Sequence, residues 1–241
     1  MQIVITMAGI GSRFKKAGYT MPKYEINVKG RSLFSWSMES LAAFYDTGSD
    51  YYFIVRSEDD AAGFIKSEWE KITGSSDNVR VIALDHVTDG QATTAMCAAG
   101  YWKKEEPLLI YNIDTYVEAG QMRPGDVKGD GFIPCFHAPG DHWSFVETDE
   151  NGLAVRVAEK QRISDNCTVG AYFFSSCGLY EKMYESYYGA GENMQKGEKY
   201  VAPLYNHMIS QGYKVRISLI DGHAVHVLGT PEELDAFANG S

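Results

Sequence analysis

The chain has 241 residues, 44% of them hydrophobic, and a formal net charge of −10. This length and apolar content support one large α/β domain with a sizeable core, while the acidic balance speaks against a general nucleic-acid binder and against docking on anionic membranes. Cys97, Cys135, Cys167 and Cys177 form no CxxC pair, and no basic leader or membrane-length apolar run is present. Free thiols and a soluble, cytoplasmic protein are therefore expected.

Gln2–Thr6 is an apolar, β-rich run and reads as the first strand. Residues 33–45 read as a helix, because Phe34, Met38, Leu41 and Tyr45 make one apolar stripe. Residues 51–55 (YYFIV) form a buried strand, after which Ser57 is expected to cap a helix with Glu58, Asp59 and Asp60 in its first turn. Val79–Leu84 is the next strand, 91–102 a helix and 107–112 another buried strand. Strands alternating with helices at this spacing predict right-handed βαβ units and a mostly parallel sheet covered on both faces.

The second half changes character. Residues 132–136 and Ser144–Thr148 read as strands, and Asp149-Glu150-Asn151-Gly152 is a turn signal leading into 153–158. An antiparallel hairpin added to the central sheet is expected. Residues 170–174 are a further strand, 176–188 a helix, 189–200 a mobile polar loop and 203–211 a helix. Two strands follow, Val215–Leu219 and 224–228, and Thr230-Pro231-Glu232-Glu233 is a capping box opening a last helix.

The opening stretch MQIVITMAGIGSRFKKAGYTMPK carries the strongest functional signal. A strand delivers a loop with Gly9 and Gly11, and two cations follow, Arg13 and Lys23, the latter directly after Pro22. Glycines let backbone N–H groups approach oxygens closely, and the cations neutralise charge, so the segment suits a polyphosphate. The alternatives are a dinucleotide-binding turn and a strand-to-helix turn without ligand. The dinucleotide pattern is disfavoured because Phe14 stands where its third glycine would.

MAGIGSRFKKAGYTMPK resembles the AGxGxR…PK signature of the sugar nucleotidyltransferases, the nucleotide-sugar pyrophosphorylases. Asp89-Gly90-Gln91-Ala92 resembles that family's second nucleotide-binding segment. Asn112-Ile113-Asp114 resembles its metal-binding strand end, Glu159-Lys160 its substrate-phosphate motif and Gly170-Ala171-Tyr172 its substrate-pocket strand. Leu228-Gly229-Thr230-Pro231 resembles its closing segment. The chain is most similar to short single-domain members from capsule and surface-polysaccharide clusters, some of them CTP-dependent.

The resemblance implies a Rossmann-like three-layer α/β nucleotidyltransferase domain with a smaller antiparallel β lobe. Residues 1–130 would be its nucleotide-binding half and 131–241 its substrate-binding half. It implies a phosphate monoester attacking the α-phosphorus of an NTP (CTP, or another ribo- or deoxy-NTP), with Mg²⁺ as cofactor. A phosphate monoester is already largely dianionic at neutral pH, since its second pKa is about 6. It needs no general base, and the absence of a Ser/His/Asp or Cys/His signature is expected. Arg13 is assigned to the leaving pyrophosphate and Lys23 to the α-phosphate. Met7, Ala8, Gly9, Gly11 and Ser12 would contact base, ribose and phosphates. Asp89 belongs to the same nucleotide segment, in which Gln91 would read the base edge, with Gly90 giving clearance. Asp114 is the metal ligand. Lys160, Glu159, Gly170, Asn112 and Thr115 are assigned to the phosphorylated acceptor. A homo-oligomer is left open.

One departure stands out. Many members carry a second metal-binding aspartate where this chain has Val227, so His226 or Asp221 is considered as a replacement. The loop 137–143 (HAPGDHW) and the segment 196–200 (KGEKY) are candidate covers for the substrate.

Overall fold

The computed structural model describes residues 1–191 and 193–240. The first half runs β1 (Gln2–Thr6), α1 (Ser12–Lys16), the short hairpin β2 (Asn27–Val28) and β3 (Arg31–Ser32), α2 (Leu33–Glu39), β4 (Asp50–Arg56), α3 (Ala62–Thr73), β5 (Val79–Leu84), α4 (Gln91–Met96), β6 (Leu108–Asn112) and β7 (Thr115–Val117). The second half runs β8 (Gly131–His137), β9 (Ser144–Thr148), β10 (Ala154–Glu159), β11 (Asn166–Thr168), β12 (Ala171–Phe174), α5 (Cys177–Tyr188), α6 (Ala202–Ser210), β13 (Val215–Leu219), β14 (Val225–Val227) and α7 (Pro231–Asn239).

Ten strands form one mixed sheet in the order β10-β9-β11-β8-β12-β6-β1-β4-β5, with β13 alongside β8. The β6-β1-β4-β5 block is parallel, as the alternation of strands and helices predicts. β12 then joins β6 antiparallel and leads into the β9–β10 hairpin, so the expected lobe extends the same sheet. Side chains alternate across β1. Ile3 and Ile5 join the core under α2 and α3, with Phe34, Phe53 and Trp69, while Val4 joins the opposite core with Ala92, Tyr180 and Tyr205. Each such fully buried aliphatic contributes about 1.5–3 kcal/mol. A third cluster fastens α7 and the separate β7–β14 pair to α1 through Phe14, Tyr116, Leu234 and Phe237.

Three helix expectations are corrected. The helix expected over 33–45 ends at Glu39 and continues as a 3₁₀ turn, Ala42–Thr47. Ser40 gives its hydroxyl oxygen to Val117 N–H and the Tyr111 hydroxyl, and the tighter turn brings Leu41 and Phe44 both into the core. Ser57 caps no helix. Arg56 pulls Glu58 and Asp59 back, the latter at 2.9 Å, and Asp60 turns left-handed, so α3 begins at Ala62. The helix expected to reach residue 102 ends at Met96 and passes into turns closed by i→i+3 bonds at Ala98, Ala99 and Tyr101.

Candidate active site

β1 runs on to β4 on one side and its neighbour β6 runs on to β8 and β12 on the other, so the chain leaves the carboxyl ends of these two adjacent strands in opposite directions. Such a switch point opens a crevice at the strand ends, where open α/β sheets bind ligands. A cleft of about 630 Å³ lies there. Of the residues assigned from the sequence, all but Asp89 line it.

The glycine loop forms one wall. Met7 N–H still bonds the sheet, through Ile54 O at 2.9 Å, after which the chain turns out at Gly11 with φ +65° and enters α1. Phe14, which breaks the dinucleotide pattern, is buried edge-on against Tyr19 at 5.4 Å and anchors that short helix. Arg13 is exposed along the rim, and Lys23 enters from a 3₁₀ turn after Pro22. Lys23 Nζ donates to Asp114 Oδ2 at 2.9 Å. Burial works against the Asp114 charge, but the Lys23 ammonium and then Arg13 hold its carboxyl below the usual aspartate range. Asp114 itself sits in the turn between β6 and β7, tied by Leu228 N–H to its carbonyl at 2.8 Å.

The floor is a polar knot. Gln91 Nε2 donates to Asn112 Oδ1 and lies 3.4 Å from Thr6 Oγ1. Gly170 (φ +79°) leaves room for Asn112, since a Cβ there would lie 2.8 Å from Asn112 Nδ2. The nitrogen of the Gln91 amide is thus engaged with Asn112.

Asp89 and Gly90 also meet a partner from the second half of the chain. A Cβ on Gly90 (φ +137°) would lie 2.4 Å from the carbonyl oxygen of Lys199. Lys199 N–H donates to Asp89 O at 2.7 Å, Ala92 N–H donates to Lys199 O at 3.0 Å, and Lys199 Nζ pairs with Asp89 at 2.8 Å. Within the segment expected as a mobile loop, Lys199 is therefore strapped onto residues 89–92, and the missing Cβ of Gly90 accommodates this strap. Gly90→Ala is expected to cost on the order of 3 kcal/mol, through the strained φ and the backbone collision, as read by urea unfolding.

The strap reaches the far end of the cleft through Tyr200, whose phenolic oxygen accepts from Lys160 Nζ at 3.0 Å. Lys160 holds a left-handed φ of 52°, rare for lysine, with its N–H bonded to Trp143 O at 2.8 Å. Burial opposes its charge, yet the Tyr200 hydroxyl and the Glu159 and Glu198 carboxylates raise its pKa above the ordinary lysine value. Glu159 accepts from Ser144 Oγ, which fixes it in the wall, and its carboxylate lies 3.6 Å from Lys160 Nζ. Thr115, Trp143, Tyr172 and Glu198 complete this end.

Neither replacement considered for the missing aspartate reaches the cleft. His226 stacks on Tyr116 at 5.1 Å and faces Glu118, on the opposite side of β14 from Val227. Asp221 caps a 3₁₀ turn by accepting from His223 N–H at 3.0 Å. The sequence assigns no site role to Tyr200, Ser144 or Glu233, and names Tyr172 only within the Gly170-Ala171-Tyr172 strand. Tyr200 lies in the segment flagged as a cover, whereas Glu233 was absorbed by its capping-box reading.

A solved nucleoside-diphosphate-sugar pyrophosphorylase from Vibrio cholerae RC9 is 33% identical and superposes with a TM-score of 0.88, covering 98% of this chain and 99% of its own. The chain belongs to the sugar nucleotidyltransferase family. It is thus an enzyme of the pyrophosphorylase type. Two more distant structures share the fold. The inositol-1-phosphate CTP transferase from T. maritima is 14% identical, with a TM-score of 0.73 over 96% of this chain and 90% of its own. The CTP:phosphocholine cytidylyltransferase from Streptococcus pneumoniae is 15% identical, with a TM-score of 0.73 over 99% and 97%. No protein-family profile and no curated protein sequence matches the chain. Among the described residues no helix is long and apolar enough to cross a membrane.

Proposed function

We propose that this nucleotidyltransferase moves the nucleoside monophosphate of an NTP onto the phosphate of a small metabolite, by default a sugar 1-phosphate, and releases pyrophosphate. The product would serve capsule or surface-glycan synthesis in the cytoplasm. The observation that carries the reading is one cleft with Arg13 and Lys23 beside the glycine loop and Lys160 across from them. The reaction must bring two anions together and let a third depart, so positioned cations are its main requirement. Residues 1–130 would hold the NTP and residues 131–241 the acceptor.

In this reading Arg13 meets the leaving pyrophosphate and Lys23 the α-phosphate, where charge rises in the transition state. Lys160 binds the acceptor phosphate and orients it for in-line attack. The hard oxygens of Asp114 suit Mg²⁺, and an ammonium already sits 2.9 Å from Oδ2, so the carboxylate is placed to accept a cation. When bound, Mg²⁺ neutralises charge on the phosphates of the leaving group.

A second reading is a CTP-dependent enzyme acting on a non-sugar phosphate such as phosphocholine or a phosphoglutamine-like amide. It is favoured by Trp143, Tyr172 and Tyr200 beside Glu159 and Glu198, a combination that suits a cationic headgroup. The test pairs each NTP and Mg²⁺ with sugar 1-phosphates, phosphocholine and phosphoglutamine, and records pyrophosphate. Release with a sugar 1-phosphate supports the first reading, and release only with CTP and a non-sugar phosphate supports the second. Nucleotide binding with no release across the panel overturns both and leaves a silent nucleotide-binding module.

A further inference from the structure

We propose that Glu233 is the second carboxylate directed at the divalent cation of the bound nucleotide. This rests on the reading that the cleft takes an NTP with Mg²⁺.

A Cβ on Gly229 would lie 3.4 Å from Asp114 Oδ2 and 3.5 Å from Glu233 Oε2, so both carboxylates face the one small space beside this residue. A side chain at position 229 would fill the gap. Two like charges facing one space repel unless a cation stands between them. Lys23 Nζ already meets Asp114 Oδ2, whereas Glu233 has no side-chain hydrogen bond or ion pair among the described residues.

Glu233 also forgoes the role its sequence context offers. In a capping box the glutamate three residues after the cap reaches back to the cap's own N–H. Here only half of the box forms. Thr230 Oγ1 accepts from Glu233 N–H at 3.1 Å, and among the described residues Thr230 N–H receives no bond from the Glu233 carboxylate. The carboxylate lines the cleft instead. Capping of the Glu233 N–H by Thr230 holds the first turn of α7 in place, and the side chain is left free to face the space it shares with Asp114 beside Gly229.

The donor set fits Mg²⁺. Among the described residues no group of three or more His, Cys, Asp or Glu gathers that could hold a metal by itself. Mg²⁺ bound with a nucleotide commonly takes one or two protein carboxylates and completes its shell with phosphate oxygens and water. Asp114 and Glu233 supply that number. Val227 contributes no oxygen from its side chain, so a carboxylate from α7 does here what a residue on β14 cannot.

The experiment measures Mn²⁺ binding by the loss of its free EPR signal, with CTP, UTP or dTTP and no acceptor, so that no turnover is involved. Wild-type protein is expected to bind Mn²⁺ with at least one nucleotide. Glu233→Gln should weaken Mn²⁺ about 10- to 100-fold, leave metal-free nucleotide binding unchanged, and keep the wild-type urea midpoint. Asp114→Asn should weaken it as well, and Val227→Asp added to Glu233→Gln should recover most of the loss. Wild-type Mn²⁺ affinity in Glu233→Gln beside an impaired Asp114→Asn overturns the inference alone. Failure of the wild-type protein to bind Mn²⁺ with any of these nucleotides, or with ATP or GTP, overturns the functional reading and the inference together.

Discussion

Lys23→Ala is expected to lower kcat by about 10²–10³ with only a modest change in KM for the NTP, by analogy with the removal of one preorganised oxyanion donor. The lysine is 17% exposed and enters from a turn whose φ is set by Pro22, so its ammonium is positioned before substrate arrives. Preorganised charge costs no reorganisation when charge builds on the α-phosphate, and its effect therefore falls on the transition state more than on binding. Lys23→Arg should recover only part of the rate. The guanidinium keeps the charge, but its planar fork replaces a compact ammonium in a largely enclosed position. Steady-state kinetics at saturating NTP decide the matter, and unchanged turnover in the alanine enzyme sinks the assigned role.

The parts of this enzyme readable from sequence are those set by local pattern. Alternation and apolar runs marked β1, β4, β5 and β6, and AGxGxR with PK marked a polyphosphate wall, because strand periodicity and glycine freedom are properties of short segments. What escaped depends on contacts distant in sequence. At Gly90 the sequence offers only clearance for a ligand, and the approach of Lys199 shows that the missing Cβ also admits a backbone strap. Ser57 looked like a cap until Arg56 drew the acidic residues away. Glu233 looked like half of a capping box, and no local rule says that its carboxylate lines the same cleft as Asp114, more than a hundred positions earlier. The sugar nucleotidyltransferase signature marks the glycine-loop wall of the cleft, whereas the opposite end is assembled from β9, β10, β12 and the 198–200 segment, four segments with weak individual signals.

Asp114→Asn is the second large effect expected, a loss of about 10²–10³ in kcat at saturating Mg²⁺. Charge stabilisation by a bound metal is worth several kcal/mol, and each 1.36 kcal/mol is tenfold in rate. The amide keeps the shape of the side chain and can still accept a hydrogen bond from Lys23, so Lys23 keeps a partner and the change isolates charge. A purely structural role for the Lys23–Asp114 pair makes a different forecast. In that case the two residues would matter only to each other, and Lys23→Met combined with Asp114→Asn would be no slower than the worse single variant and would regain stability. If each meets substrate separately, the double variant falls below both single variants in kcat, while urea unfolding still records a coupling of about 1 kcal/mol for the partly exposed pair. We expect the second pattern. The ion pair would then be the resting arrangement of two groups that part to serve different phosphates when the nucleotide enters.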